Sequence, residues 1–125
     1  MSLTEDLVLF KSFDVQSYRG SYSVDFTSIQ SELPNQILLE DVVLVDSNIL
    51  KIFPSISEVL KNYKIIIIEA SEEAKSYDAI GMVIKEIIET GFSKNNRLIA
   101  IGGGITQDIT SFAASILFRG VDWIF

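Results

Sequence analysis

Three consecutive glycines are the feature of this 125-residue sequence best suited to binding a ligand. Gly102, Gly103 and Gly104 follow an apolar run and precede a helical pattern. Because glycine lacks a Cβ, backbone N–H groups there can approach a bulky group closely. The N-terminus of the following helix would add unpaired N–H groups and a positive dipole end. The spacing favours an anion site that suits a pyrophosphate, although a strand-to-helix turn with nothing bound has the same glycines.

Charged and amide side chains occur near the starts of three predicted helices. Asp108 lies one turn beyond the glycines, where an acid either favours the helix dipole or holds a ligand hydroxyl or amide. Asp46 and Asn48 follow another apolar run, where they suit either a ribose hydroxyl or a helix N-cap. Glu72 and Lys75 are three residues apart, the spacing of a solvated pair or of a carboxylate and an ammonium facing a cleft. Together, the three loops carry the residue types that a dinucleotide uses.

Short apolar runs alternate with helical patterns from residue 42 onward, and this alternation predicts the fold. Runs that are apolar on both faces are typical of parallel strands covered by helices on both sides. We therefore expect right-handed βαβ units and an α/β fold with a Rossmann-like parallel sheet and flanking helices. Ligands of such sheets bind beyond the carboxyl ends of the strands. The predicted strands are 42–45, 65–68, 98–101 and 121–125, and the helical patterns are 48–61, 76–90 and 105–118.

The N-terminal part of the chain has a different pattern. Residues 8–26 show alternating apolar residues around Arg19-Gly20, which predicts an N-terminal β-hairpin. Residues 28–39 predict a short helical turn that is broken at Pro34. Gly91 is expected just after the end of helix 76–90.

The composition excludes several classes of function. The net charge of −7, from 10 basic and 17 acidic residues, argues against a nucleic-acid or anionic-membrane partner. The chain has no cysteine and no histidine, which excludes disulfides, thiolate nucleophiles, imidazole bases and the usual zinc ligands. Neither a membrane-spanning apolar run nor a signal peptide is visible. These absences fit a cytoplasmic protein.

The segment GGGITQDITSFAASILFRG resembles the GGG-x-x-x-D-x-x-x-F-x-A-x-x-x-x-R-G motif of 3-dehydroquinate synthases and related sugar-phosphate cyclases. Residues 69–76 resemble the G-E-x-x-K-S loop of the same family, and VDSNI resembles its strand-end D-x-N. The resemblance implies that NAD lies along the three loops. Asp46 and Asn48 would then lie near the adenosine ribose, Glu72 and Lys75 would contact the nucleotide, Gly103, Gly104 and Ile105 would receive the pyrophosphate, and Asp108 would lie near the nicotinamide half.

Arg119 has two interpretations. By its position before Gly120 it is a cation near a helix C-terminus. The resemblance instead matches it to the family arginine that binds the phosphate-bearing end of the substrate across a homodimer interface. A guanidinium suits phosphate because its donors are forked and its charge is permanent.

The resemblance also implies an activity for the longer enzyme. Residues 1–125 would be an N-terminal NAD-binding fragment of a lyase of the shikimate pathway. That enzyme converts 3-deoxy-D-arabino-heptulosonate 7-phosphate to 3-dehydroquinate and phosphate with NAD and a divalent metal, zinc or cobalt. The metal ligands and a C-terminal helical domain are not in this chain, so we expect no catalytic residue, no metal site and no turnover from it alone.

Two residues depart from the family pattern and leave alternatives open. Ser71 and Gln107 stand where the family has glycine, which allows a cyclase for another sugar phosphate. A metal-dependent polyol dehydrogenase shares the fold and the GGG-x-x-x-D turn, but such enzymes usually lack the Arg119-Gly120 end of the motif. A non-catalytic nucleotide-binding module is the third alternative.

Overall fold

The N-terminal unit contains a β-hairpin. The computed structural model describes residues 11–125, and the chain divides into compact units of residues 1–35 and 36–125. Strands β1 (Phe13–Ser17) and β2 (Gly20–Val24) pair antiparallel, with Ser17 opposite Gly20 across a two-residue turn. The predicted hairpin and its turn are confirmed, whereas residues 8–10 of that prediction lie outside the described part.

Helix α1 (Ile29–Gln36) runs through Pro34, so the predicted break at this proline is wrong. A proline removes one N–H donor from a helix and crowds the preceding turn. Here the helix continues for two residues beyond it. Pro34 therefore weakens the last turn of α1 and does not end the helix.

The second unit contains the predicted parallel sheet. Its strand order is β4-β3-β5-β6, and all three neighbouring pairs are parallel. The last strand is shorter than the predicted 121–125. The strands are β3 (Val42–Asp46), β4 (Lys64–Ile68), β5 (Leu98–Ile101) and β6 (Trp123–Ile124).

Helices connect these strands, close to the predicted segments. They are α2 (Ser47–Ile52), α3 (Pro54–Leu60), α4 (Tyr77–Glu89) and α5 (Gly104–Ile116). Two 3₁₀ turns, Glu72–Lys75 and Leu117–Arg119, precede α4 and follow α5. Gly91 has a φ of +82° just beyond α4, in agreement with its predicted place. Within residues 11–125, no helix has the length and apolar character needed to cross a membrane.

Two helical predictions need correction at their boundaries. The pattern 48–61 is two helices, because Pro54 disfavours a helical conformation at Phe53, whose φ and ψ are −122° and 81°. The pattern 105–118 ends early, at Ile116. Phe118 and Arg119 have φ of 49° and 66°, a left-handed conformation that cannot continue an α-helix.

The core lies between the sheet and helices α4 and α5. Strand β3 is buried on both faces, with Val42 to Val45 fully inaccessible. One face contributes Val42, Leu44, Ile66 and Ile68 to an apolar cluster, whose helical members are Ile80, Ile87, Ile109, Ala113 and Ala114. The expected cover on both faces holds for β3 and β5 but not for β4, where Ile65 and Ile67 are 38% and 53% exposed. Strand β4 is an edge strand of the described sheet, so fewer elements surround it.

The strand order places a topological switch point between β3 and β5. The chain passes from β3 to β4 on one side, then crosses back to β5 on the other side of β3. Right-handed crossovers place α2 and α3 on one face and α4 and α5 on the opposite face. A crevice therefore opens at the carboxyl ends of β3 and β5, where open α/β sheets bind ligands.

A buried ion pair joins the opposite ends of the same two strands. Asp41 precedes β3 and Arg97 precedes β5. The Arg97 guanidinium donates to both carboxylate oxygens of Asp41, at 3.1 and 2.7 Å, and to the carbonyl of Gln36 at 2.8 Å. The backbone N–H of Leu38 donates to the same carboxylate at 2.8 Å. This pair fixes the register of the strands that form the crevice.

Candidate functional site

The triglycine corner leaves the N-terminus of α5 open. Gly103 is the N-cap residue of this 13-residue helix, and no side chain caps it. The N–H groups of the first helical residues, Gly104 and Ile105, have no acceptor one turn earlier in the helix. A Cβ added at Gly103 or Gly104 would meet no atom within 4 Å. The corner thus offers free donors, the positive end of a helix dipole and open space, which together suit an anion.

Gly102 has a different role from its two neighbours. A Cβ at this position would lie 2.7 Å from the Thr106 hydroxyl oxygen and 3.0 Å from Cβ of Asp46. Glycine at 102 thus lets the ends of β3 and β5 approach one another. Gly103 and Gly104 face the open space, and Gly102 packs inside.

Thr106 lies in the first turn of α5, but its side chain does not cap the helix. The residue is fully buried, and its Oγ1 atom has no hydrogen-bond partner among the described residues. An unpaired buried hydroxyl costs free energy of folding. The burial of Thr106 cannot be read from the sequence, since burial of one face of a first turn depends on the neighbouring strand.

Lys75 and Asp108 are brought together from two of the predicted loops. Lys75 Nζ lies 2.7 Å from Asp108 Oδ2 and 3.7 Å from Glu72 Oε2. The hydrogen bond with Asp108, opposed by partial burial and aided by the charges of both acids, raises the pKa of Lys75 above its ordinary value. Lys75 is therefore a cation at neutral pH. The predicted Glu72–Lys75 spacing does form a pair, although Asp108 is the closer partner.

An open pocket of about 370 Å³ lies beside this ion pair. Its polar wall is the Lys75–Asp108 pair, and the remaining lining is aromatic and aliphatic. An apolar cleft with a few convergent polar groups is the common form of a small-molecule site. The lining residues are Lys75, Tyr77, Ile80, Asp108, Ile109 and Phe112.

Asp46 ends β3 and caps α2. Its Oδ1 accepts a hydrogen bond of 2.8 Å from the N–H of Asn48. The N-cap interpretation of this loop is therefore correct for one oxygen of the carboxylate. A carboxylate has lone pairs for several donors, so the cap does not prevent a further hydrogen bond from a ligand.

Ser47 and Glu69 form a contact between loops that the sequence did not indicate. The hydroxyl of Ser47, which is 5% exposed, donates to Glu69 Oε2 at 3.0 Å. Glu69 directly follows β4 and Ser47 directly follows β3. Because the two residues are 22 positions apart, only the pairing of β3 with β4 brings them together.

Arg119 is not part of this cluster. It lies in the 3₁₀ turn beyond the C-terminus of α5, and the 13-residue helix between it and the glycines is about 20 Å long. Its side chain is exposed. Arg119 is therefore too far from the glycine corner to contact a small ligand bound there.

The described residues contain no group of three or more potential ligands that could hold a metal ion. The acids at the crevice are engaged separately, Asp46 by the N-terminus of α2 and Asp108 by Lys75. The donor set of residues 11–125 therefore does not fit a metal centre.

The family model and the curated relatives that match this chain are both described as 3-dehydroquinate synthase. Residues 65–125 match a family model described as 3-dehydroquinate synthase N-terminal. The 3-dehydroquinate synthase of Staphylococcus haemolyticus is 41% identical over 80 residues, which cover 64% of this chain and 22% of that protein. For eight such curated relatives, the chain spans between 15% and 29% of the relative's length.

Solved structures of 2-deoxy-scyllo-inosose synthase have a similar fold. A crystal structure of 2-deoxy-scyllo-inosose synthase superposes with a TM-score of 0.72 at 18% identity, over 90% of this chain and 35% of that one. A second structure of that enzyme, complexed with carbaglucose-6-phosphate, NAD⁺ and Co²⁺, gives a TM-score of 0.70 at 18% identity, over 90% of this chain and 34% of that one. At this identity the likeness establishes the α/β fold with its parallel sheet.

Proposed function

Since the chain belongs to the 3-dehydroquinate synthase family, we propose that it forms the NAD-binding part of a 3-dehydroquinate synthase. The complete enzyme would convert 3-deoxy-D-arabino-heptulosonate 7-phosphate to 3-dehydroquinate and phosphate. Residues 1–125 would form the N-terminal NAD-binding part of the enzyme, and the metal ligands would come from elsewhere in it. Since the described residues hold no metal cluster, we expect no turnover from this chain alone.

The observation that carries the proposal is the Lys75–Asp108 contact of 2.7 Å beside the uncapped N-terminus of α5. It joins two loops that the family resemblance assigns to the same coenzyme, although these residues are 33 positions apart. A dinucleotide needs an anion site for its pyrophosphate and polar groups for its two ends. The uncapped N-terminus of α5 and the polar side chains lie at the carboxyl ends of the parallel strands.

Each residue would have a distinct part in binding. Backbone N–H groups at Gly103, Gly104 and Ile105 would donate to the pyrophosphate, whose charge the dipole of α5 favours. The free oxygen of Asp46 and the amide of Asn48 would hydrogen-bond the adenosine ribose. Glu72, Lys75 and Asp108 would orient the remaining groups of the nucleotide.

The Lys75–Asp108 pair can persist when the coenzyme binds. An ammonium has three donors, and a carboxylate can accept several hydrogen bonds. Lys75 can therefore keep Asp108 as a partner and still donate to a ligand oxygen.

NAD, when bound, would accept a hydride from a substrate carbon and later return it, so that the net redox change is zero.

Arg119 fits a role in a homodimer. Its distance from the crevice, about 20 Å along α5, favours binding of the substrate phosphate in the site of a partner subunit. A guanidinium forms paired hydrogen bonds with phosphate oxygens. The resulting dimer would be required for full activity of the complete enzyme.

A cyclase for another sugar phosphate is the second candidate. The solved structures of similar fold include 2-deoxy-scyllo-inosose synthase, a different member of the cyclase group. Ser71 and Gln107 replace the glycines of the family motif and lie in the two loops around the Lys75–Asp108 pair. The two candidates share the coenzyme and differ in the sugar phosphate.

Titration of the ¹⁵N-labelled chain with NAD, followed by NMR, tests the coenzyme site. We expect shifts at the amides of residues 103–108 and 72–76. Lys75→Ala and Asp108→Ala should each raise the Kd about 10-fold or more, because each loses a charge-assisted hydrogen bond. Lys85→Ala is the matched control, since Lys85 forms an exposed pair with Glu89 on α4. Unchanged affinity in both site variants would refute the assignment.

An assay of phosphate release tests the prediction that the chain is inactive alone. The wild-type chain is supplied with the heptulosonate phosphate, NAD and Zn²⁺ or Co²⁺. We expect no release above the uncatalysed rate. Measurable turnover would show that residues 1–125 contain catalytic groups that the structure does not reveal.

A further inference from the structure

A buried hydroxyl lies directly behind the triglycine corner. Thr106 is fully inaccessible to solvent, and its Oγ1 atom has no hydrogen-bond partner among residues 11–125. A Cβ built on Gly102 would lie 2.7 Å from this oxygen, so the hydroxyl faces the backbone of the corner. Buried hydroxyls without a partner cost free energy of folding and are rare in native proteins. This one lies in the first turn of α5, at the helix end that is open to an anion.

The same helix shows which acceptor suits this hydroxyl. One turn later, Thr110 Oγ1 donates to the carbonyl oxygen of Thr106 at 2.7 Å. The equivalent acceptor for Thr106 is the carbonyl oxygen of Gly102, four residues earlier, and that bond is not formed. The first backbone bond of α5 runs from the N–H of Gln107 to the carbonyl of Gly103, at 3.1 Å. The Gly102 carbonyl therefore lies outside the helix, whose hydrogen bonds do not fix its direction.

The peptide group after Gly102 joins two residues that both lack a Cβ. Its rotation changes ψ of Gly102 and φ of Gly103, and glycine tolerates backbone angles that other residues avoid. The carbonyl and the N–H of a trans peptide point in opposite directions. A rotation that brings the Gly102 carbonyl to Thr106 thus turns the Gly103 N–H away from it. A Cβ at Gly103 would meet no atom within 4 Å, so the corner has open space for a ligand that accepts from this N–H.

We propose that binding of a pyrophosphate group rotates this peptide, so that the Thr106 hydroxyl gains the Gly102 carbonyl as acceptor and the Gly103 N–H donates to the ligand. The inference rests on the proposed function, since it concerns the anion site of the same corner. A ligand favours one conformation only through its greater affinity for it, and the Gly103 N–H supplies that difference. Thr106 is a positioning residue, because it is buried behind the corner and stabilises the bound conformation without touching the ligand.

The proposal gives one substitution opposite effects on folding and on binding. Thr106→Val removes a hydroxyl that is unpaired in the free chain, so the urea midpoint should rise. The same change removes a hydrogen bond that forms only with the ligand, so the Kd of pyrophosphate and of NAD should rise about 5-fold. Thr106→Ser keeps the hydroxyl, and both Kd values should stay within about 2-fold of wild type.

Thr110→Val is the matched control, since it removes a buried hydroxyl that already has its acceptor on the same helix. It should lower the urea midpoint and leave both Kd values within about 2-fold of wild type. NMR titrations of the labelled chain with sodium pyrophosphate, and separately with NAD, measure the Kd values. In the same spectra, the ¹³C′ shift of Gly102 and the ¹⁵N shift of Gly103 should move together in wild type. The Gly102 shift should move less in Thr106→Val, where the carbonyl lacks its donor.

The outcomes separate this inference from the proposed function. Binding by Thr106→Val that equals or exceeds that of wild type, or a loss that Thr110→Val matches, would overturn the role of Thr106. A lower urea midpoint in Thr106→Val would show that the hydroxyl is already paired in the free chain, which overturns it as well. If wild type binds pyrophosphate but not NAD, the proposed function fails, and the pyrophosphate titrations still decide the role of Thr106. If wild type binds neither, the anion site and this inference fail together.

Discussion

Replacement of Arg97 should destabilise the protein more than replacement of its partner Asp41. The Asp41 side chain is 2% exposed, and two of its three hydrogen bonds come from Arg97. Arg97→Met therefore leaves a buried carboxylate with one donor, the N–H of Leu38. Removal of one partner from a buried pair costs about 3–5 kcal/mol.

Replacement of Asp41 should lower the free energy of unfolding by less than replacement of Arg97. The Arg97 side chain is 26% exposed and also donates to the Gln36 carbonyl. In Asp41→Asn, water and this carbonyl still solvate the guanidinium, and the asparagine oxygen can accept one bond. We expect a loss of about 1–2 kcal/mol, in the range of one hydrogen bond to a charged group. The asymmetry follows from the different exposure of the two side chains.

Urea unfolding followed by circular dichroism measures these losses, with equal m-values as a check on two-state behaviour. Arg97→Lys, which keeps the charge but loses the paired donors, provides an intermediate of about 1–2 kcal/mol in case the methionine variant does not fold. Lys61→Met is the control, since its pair with Glu58 is 70% and 78% exposed and should contribute less than about 0.5 kcal/mol. A loss in Asp41→Asn that equals or exceeds the loss in Arg97→Met, or that exceeds about 2 kcal/mol where the methionine variant does not fold, would refute the reasoning.

Three further predictions concern the crevice. Gly102→Ala should lower the free energy of unfolding by about 1–3 kcal/mol, because its Cβ would lie 2.7 Å from Thr106 Oγ1. The Cβ of Gly103→Ala would meet open space, so this variant should stay within about 1 kcal/mol of wild type. Urea unfolding measures both. Thr106→Val should raise the free energy of unfolding by about 1 kcal/mol by removing an unpaired buried hydroxyl; a loss of stability would show that the hydroxyl has a partner. Asp108→Asn should lower the pKa of Lys75 towards its ordinary value, measured from the Lys75 side-chain NMR shifts against pH. Since the pKa of Lys75 is raised in the folded state, the stabilisation linked to the Lys75 proton is complete below the ordinary pKa of lysine and is lost as alkaline pH passes the raised value. An unchanged titration of Lys75 would show that the pair does not persist in solution.

The parts of the fold that the sequence predicted are those set by apolar periodicity. The three longer strands were predicted because each is a continuous apolar run. The helices between them were predicted because apolar residues recur in them about once a turn. The ends of helices were wrongly predicted where the apolar pattern continues through a change in backbone conformation. At Phe53 the following proline changes the conformation, and at Phe118 and Arg119 the left-handed backbone does so. The exposure of Ile65 and Ile67 was missed because apolar content does not reveal that a strand lies at an edge.

The site shows a similar division. The meeting of three loops was predicted, because the carboxyl ends of parallel strands lie at one edge of a sheet. The partners within the site were not, because contacts such as Ser47–Glu69 and Lys75–Asp108 join residues 22 and 33 positions apart. They depend on strand order and side-chain direction, and periodicity encodes neither. The Asp41–Arg97 pair could have been predicted, since opposite charges that directly precede adjacent parallel strands can pair.

The two ends of the β3–β5 pair depend on one another. The Asp41–Arg97 contact fixes Val42 opposite Leu98 at one end. The same register places Val45 opposite Ile101 at the other end, and there Gly102 fits against Asp46 and Thr106 with no room for a Cβ. A slip of one residue would turn the apolar side chains of a strand to its other face and separate Asp46 from the glycines. The geometry of the proposed coenzyme site therefore depends on an ion pair at the far edge of the sheet, so variants of Arg97 that still fold should weaken NAD binding without contacting the coenzyme.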